Sequence, residues 1–121
     1  MYCTASGRVY LSALPREHAH EHLSVCTFVQ HTRQKRVGLD DILERGDLAR
    51  RDGFSTNCEE LFLGDMALAA PVRNSEGLPV AAVHVVAPTS RWTVEEAERR
   101  LGPAVLECAR AITTSIRALQ L

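Results

Sequence analysis

Apolar residues along this chain recur first at helical spacing, then in alternation, then at helical spacing again, an order that predicts an α+β domain with an antiparallel sheet. Thr4 or Ser6 starts a short helix that runs to Leu14, with Val9, Leu11 and Leu14 as its apolar positions. Pro15 ends it, because a proline pushes the residue before it out of the α region. Pro15 also suits the first position of a second helix, which extends to about Val25. The stretch Cys26 to Gly38 is polar and basic and reads as a loop with a strand-like piece. A third helix, Leu39 to Arg51, carries Leu39, Ile42, Leu43 and Leu48 as its stripe, and Asp52-Gly53 stops it.

Sheet signals follow. Phe54 to Asn57 is a short strand, and Cys58 to Gly64 an acidic loop. Two apolar runs, Met66 to Arg73 and Leu78 to Ala87, flank Asn74-Ser75-Glu76-Gly77, a strong hairpin signal with Gly77 for the left-handed position. Pro71 lies within a run, which implies an edge or a bulge at that point. Alternation sets Leu78, Val80, Ala82, His84 and Val86 on one face of the second run, and Val83 and Val85 on the other. Thr93 and Glu96 then form a capping box that opens a long helix. Ala97, Leu101, Ala104, Cys108, Ile112 and Leu119 are its expected buried stripe, and Pro103 should kink it. Three strands are few for this much apolar surface, so the sheet is expected to be completed by residues outside this sequence.

Composition narrows the function classes. The 121 residues fit one domain, and 45% hydrophobic with 24% charged residues is the balance of a folded globular chain, not a disordered one. Lysine and arginine total 14 against 15 acids, for a net charge of -1. The arginines interleave with acids, as in Glu44-Arg45, Arg51-Asp52 and Glu98-Arg99, so no basic stripe for a phosphate backbone is expected. Cys3, Cys26, Cys58 and Cys108 contain no C-x-x-C pair and read as reduced thiols in the cytoplasm. There is no apolar run long enough to span a membrane and no signal-peptide pattern at Met1, so no membrane partner is expected.

A few residues stand out chemically. His84 interrupts the apolar run Ala81 to Val86, and a buried imidazole needs a hydrogen-bond partner. It is either a core histidine paired to a backbone carbonyl or a donor to an anionic ligand. Ser6 and Gly7, with Thr4, stand at a helix start, where amides cap the helix or receive a carboxylate. His18, His20 and His22 form a dense cluster, and Cys58 could approach His84, but no third ligand has fitting spacing and no metal is expected. No G-x-S-x-G surrounds Ser6 or Ser12, and no glycine-rich phosphate loop is present. The chain is expected to be no enzyme and to need no cofactor.

Taken together, several segments resemble one family. Cys3-Thr4-Ala5-Ser6-Gly7-Arg8-Val9 with Leu14-Pro15, then Gly53-Phe54, Glu60 and Gly64, are similar to the IclR family of bacterial transcription regulators. So are Ala69-Ala70-Pro71-Val72-Arg73-Asn74 with Gly77, Val80-Ala81-Ala82, and Arg91 before the last helix. The likeness runs from Tyr2 to about Leu119 in order and spacing. It implies a GAF-like effector-binding domain across residues 1–121, incomplete at its N-terminus, with the DNA-binding winged helix-turn-helix absent. It also implies a homodimer or tetramer, with DNA reached only through that missing N-terminal domain. The effector would be a small organic acid, and the opening segment is most similar to the branch that senses aromatic acids of the protocatechuate and hydroxybenzoate type.

Carried over position by position, the resemblance assigns the ligand-lining residues to Ala5, Ser6, Asn57, Ala67, His84 and Val86. Family members often hold small hydroxyl residues where His84 and Val86 stand, and an acid where Asn57 stands. Those departures suggest a different acid and a pocket with one negative charge fewer. Glu60 matches the family's acid, although beside Glu59 it also suits a solvated or structural role. Two alternatives stay open: an oligomerisation-only regulatory domain with a vestigial pocket, and a small cysteine-based redox enzyme using Cys58 near His84.

Overall fold

The Asn74 turn organises the sheet. In a computed structural model of the chain, which describes residues 4–24, 39–59 and 63–119, three antiparallel strands stand in the order β1-β2-β3. They are β1 (Ser55–Cys58), β2 (Asp65–Arg73) and β3 (Pro79–Pro88). The Asn74 amide donates to the Leu78 carbonyl at 2.9 Å, and its Oδ1 accepts from the amides of Glu76 at 2.9 Å and Leu78 at 3.0 Å. Gly77 takes the left-handed position with φ +82°. Of the two readings of Pro71 the edge holds: β1 pairs only as far as Ser55 with Ala69, while the register shift at Val72/Arg73 lies beyond Pro71 and leaves the extra residue, Val80, on β3. Beside that shift the Arg73 amide donates 3.1 Å to Thr113 Oγ1.

The two sheet faces are filled differently. On one, Met66, Leu68, Ala70 and Val72 of β2, with Val83, Val85 and Ala87 of β3, pack against Ala97, Val105 and Ala109 of α4 (Val94–Ala118). On the other, Ala67, Ala69 and Ala82 meet Ala5 and Val9 of α1 (Ala5–Ala13) and Ala49 of α3 (Leu39–Asp52). A third cluster, Leu11, Ala19, Leu23 and Ile42, joins α1 to α3 and to α2 (Arg16–Ser24). From Ala82 to Ala87 the alternation of β3 is the one its sequence predicts, and the register shift interrupts it at Val80.

The helix ends are held as their sequences imply. Thr4 Oγ1 accepts from the Gly7 amide at 3.0 Å, and Thr93 Oγ1 from the Glu96 amide at 3.2 Å. Arg50 of α3 donates to the Ser12 carbonyl at 2.8 Å and to the Leu14 carbonyl at 3.1 Å. The end of α1, where carbonyls lack partners within the helix, is thereby tied to α3. The strand-like piece within 26–38, the acid Glu60, and Cys3 and Cys26 lie outside the described residues.

The buried stripe of α4 corrects the sequence reading. Ala97 is buried and Leu101 packs on the core, but Ala104 and Cys108 are exposed, Ile112 is 40% exposed and Leu119 is 69% exposed. The helix instead buries Gly102, Val105 and Ala109. After Leu101 the stripe advances by four residues to Val105, not by three to Ala104. Gly102 sits under Phe54, where a Cβ would stand 2.7 Å from Phe54 Cζ and 2.9 Å from Cε1. That close approach sets the rotation of α4 on the sheet. Pro103 lies within the helix, which runs on to Ala118.

A first expected result arises here. Gly102→Ala gains about 1 kcal/mol of helix propensity but forces Phe54 aside, at a cost of about 1–3 kcal/mol. The net should be a destabilisation of about 1 kcal/mol in urea unfolding. Combined with Phe54→Leu, the two losses should fail to add, because the substitutions share one contact.

Candidate ligand-binding site

The small residues on the α1 side of the sheet leave a space. Ala69 pairs with His84, and Ala67 pairs with Val86 on one side and Asn57 on the other. Above these rungs sits the first turn of α1, and between them lies a cavity of about 380 Å³. That volume falls within the range of small-molecule sites. Ala5, Ser6, Asn57, Ala67, His84 and Val86 all border it. Thr4, Asp65 and Met66 border it as well and were not assigned from sequence. For Asp65 a signal existed: the alternation of Ala69 and Ala67, carried one step back, reaches it.

The chemistry of the walls divides by element. In α1, Thr4 takes the Gly7 amide on its side chain and the Arg8 amide on its carbonyl at 3.0 Å. The amides of Ala5 and Ser6, both residues of the cavity wall, have no hydrogen-bond partner among the described residues. A helix start with open amides favours an anion. Across from it, His84 Nδ1 lies 3.2 Å from Ser6 Oγ. The core-histidine reading therefore needs correction. His84 is exposed, and its partner is the Ser6 hydroxyl, not a backbone carbonyl. The physical reason is its position on β3, which no described strand covers on its far side. Val86 on the same face is 55% exposed.

Among the described residues that border the cavity there is no lysine or arginine, and Asp65 is the one carboxylate. Asn57 is buried on β1, and its neighbour Cys58 packs on the α4 face of the sheet. Cys58 and His84 therefore stand on opposite faces, and the thiol–imidazole pair imagined for a metal or a redox step does not form. His18, His20 and His22 are exposed on α2, away from the cavity. Among the described residues, no group of three or more histidines, cysteines or acids is placed to hold a metal ion. None of the described helices is long and apolar enough to cross a membrane.

Comparison with known proteins agrees with this fold. Residues 1–114 match the family model of the bacterial transcriptional regulator IclR C-terminal domain. A relative is the p-hydroxybenzoate hydroxylase transcriptional activator of Acinetobacter baylyi, 32% identical over 90 residues, covering 74% of this chain and 33% of that protein. A solved Rhodococcus transcriptional regulator is 30% identical with a TM-score of 0.89, over 95% of this chain and 47% of the other. The inducer-binding domain of an Acinetobacter PobR double mutant, in complex with 3-hydroxybenzoic acid, is 28% identical with a TM-score of 0.84, over 93% and 64%. The chain spans between 33% and 40% of the length of the first three curated relatives it matches. These are transcriptional regulators rather than enzymes, and the chain belongs to the IclR C-terminal family, the effector-binding domain of bacterial transcriptional regulators.

Proposed function

We propose that this domain senses a small aromatic carboxylic acid in the cavity between α1 and the sheet, within a cytoplasmic regulator whose DNA contacts lie in other parts of the protein. The observation that carries this reading is the convergence of the Ser6 hydroxyl, two open α1 amides and His84 on one cavity that Ala5, Ala67 and Val86 also line. The carboxylate sits at the start of α1 and takes a further hydrogen bond from His84. The ring lies against Ala5, Ala67 and Val86, where burial of its apolar surface adds affinity. A relative named as the transcriptional activator of p-hydroxybenzoate hydroxylase, and a neighbour solved with 3-hydroxybenzoic acid, support the choice of acid. An acid that fits one arrangement of the assembled regulator better than another shifts it between DNA-binding states.

A second reading, an assembly domain with a vestigial pocket, draws on the Ser6–His84 hydrogen bond, which satisfies both groups without a ligand. Titration calorimetry of the full-length protein with a panel of aromatic and short-chain acids separates the two. At least one aromatic acid is expected to bind in the micromolar range or tighter. If none binds, the assembly reading takes its place.

Self-association belongs to the same proposal, as a homodimer or tetramer. Val105 is 4% exposed, packed in the core cluster, and contributes nothing to such a contact. The outward face of α4, with Ala104, Cys108 and Ile112, and the uncovered edge of β3 remain. Sedimentation at micromolar concentration should show a dimer or larger species, and a monodisperse monomer would count against it.

A further inference from the structure

Asp65 is the first residue of β2, two positions before Ala67 and four before Ala69, so all three share the cavity face of the sheet. The register sets Asp65 opposite Pro88, Ala67 opposite Val86, and Ala69 opposite His84. At roughly 3.4 Å per residue, the Asp65 rung lies about 14 Å along the sheet from the His84 rung. The cavity touches both residues. It is therefore bipolar. One end offers donors, namely the Ala5 and Ser6 amides, the Ser6 hydroxyl and the His84 ring. The other end offers the Asp65 carboxylate, an acceptor of hydrogen bonds. The Asp65 backbone carbonyl takes the Glu59 amide at 2.8 Å, while no described residue forms an ion pair or hydrogen bond with its side chain.

We propose that Asp65 is a specificity-determining residue: it selects acids whose far end carries a hydrogen-bond donor, such as a phenolic hydroxyl or an aromatic amine. This rests on the acid-binding reading above. A para-substituted benzoic acid measures about 7 Å from carboxylate oxygen to far substituent, and about 13 Å once a hydrogen bond of roughly 2.8 Å is added, counted to its partner atom, at each end. That length is within about 1 Å of the distance between the two rungs. Asp65 is exposed, and a bare ring gives its carboxylate no donor while covering part of a hydrated group with apolar carbon. A second carboxylate in the para position meets a like charge and is rejected, so the same residue discriminates by attraction and by repulsion.

The test is calorimetry on the full-length protein, its Asp65→Asn and its Asp65→Ala variants, with 4-hydroxybenzoate, 4-aminobenzoate, benzoate and terephthalate. The parent should prefer 4-hydroxybenzoate to benzoate by about ten- to a hundredfold, the scale of one hydrogen bond to a charged group, and bind terephthalate most weakly. Asp65→Ala should bring 4-hydroxybenzoate and benzoate within about twofold of each other. Asp65→Asn, nearly isosteric and able to donate, should improve terephthalate relative to the parent. Equal affinity of the parent for benzoate and 4-hydroxybenzoate, or a preference unchanged in both variants, overturns the role of Asp65 and leaves acid binding standing. Absence of binding by all four probes overturns acid binding, and the selectivity with it.

Discussion

Replacing Leu68 with alanine is expected to destabilise this domain by about 2–5 kcal/mol, the range for deleting a buried leucine side chain and leaving a cavity. Leu68 is 0% exposed and sits on the middle strand, paired with Thr56 of β1 and Val85 of β3. It packs beneath α4 in the cluster that includes Met66 and Val105. With a strand on either side and a helix above, its surroundings have little freedom to collapse into the space. Against a total stability of about 5–15 kcal/mol for a domain of ordinary size, the loss is a large fraction. The contrast is Ile112→Ala, another aliphatic truncation at a site 40% exposed, which should cost less than about 1 kcal/mol. Urea midpoints of both variants, at constant slope, decide it. Equal shifts would mean that α4 lies on the sheet differently from the arrangement described.

That contrast also marks where the sequence was legible and where it was not. The Thr4 and Thr93 caps, the Asn74–Gly77 turn and the alternation of β3 are local, and each depends on residues within a few positions of one another. They could be read directly. The face of α4 depends instead on Phe54 lying over Gly102, a contact between residues 48 positions apart, and a periodic stripe tolerates either a three- or a four-residue step at Leu101. For the cavity, the residue types of the walls followed from alternation and family resemblance together. The Ser6–His84 bond did not, because it joins residues 78 positions apart whose distance only the packing of α1 on the sheet determines. Asp65 was missed because the strand was started one residue late, at Met66.

His84→Ala should weaken binding of the preferred aromatic acid by about ten- to a hundredfold, or roughly 1.5–3 kcal/mol, the worth of a charge-assisted hydrogen bond. Folding stability should change by less than about 0.5 kcal/mol, because His84 is exposed and no core contact is lost. Ser6→Ala removes a carboxylate partner but also frees His84 from its 3.2 Å bond with the Ser6 hydroxyl. Its loss of affinity should therefore be smaller than that of His84→Ala. His84→Asn, which keeps a donor on a shorter side chain, should recover part of the affinity. Calorimetry of the three variants with one acid reads this order directly. If His84→Ala binds as tightly as the parent, the histidine is only the partner of Ser6.

The hairpin register has a consequence for recognition. One face of β2 carries Ala67 and Ala69, the other Met66 and Leu68, and a slip of one residue exchanges the faces. In the slipped pairing, thioether and isobutyl groups would occupy the space where an acid is proposed to sit, and methyl groups would be left beneath α4. The void is therefore a property of alignment as much as of composition. What keeps the alignment is remote from it: the Asn74 side chain clasping two amides, Gly77, and Thr113 receiving the Arg73 amide. Changes at the far end of the hairpin can therefore alter what the domain accommodates without touching any group that lines the void, and drift at Asn74 or Thr113 offers a route to altered ligand choice that inspection of the lining residues alone would overlook.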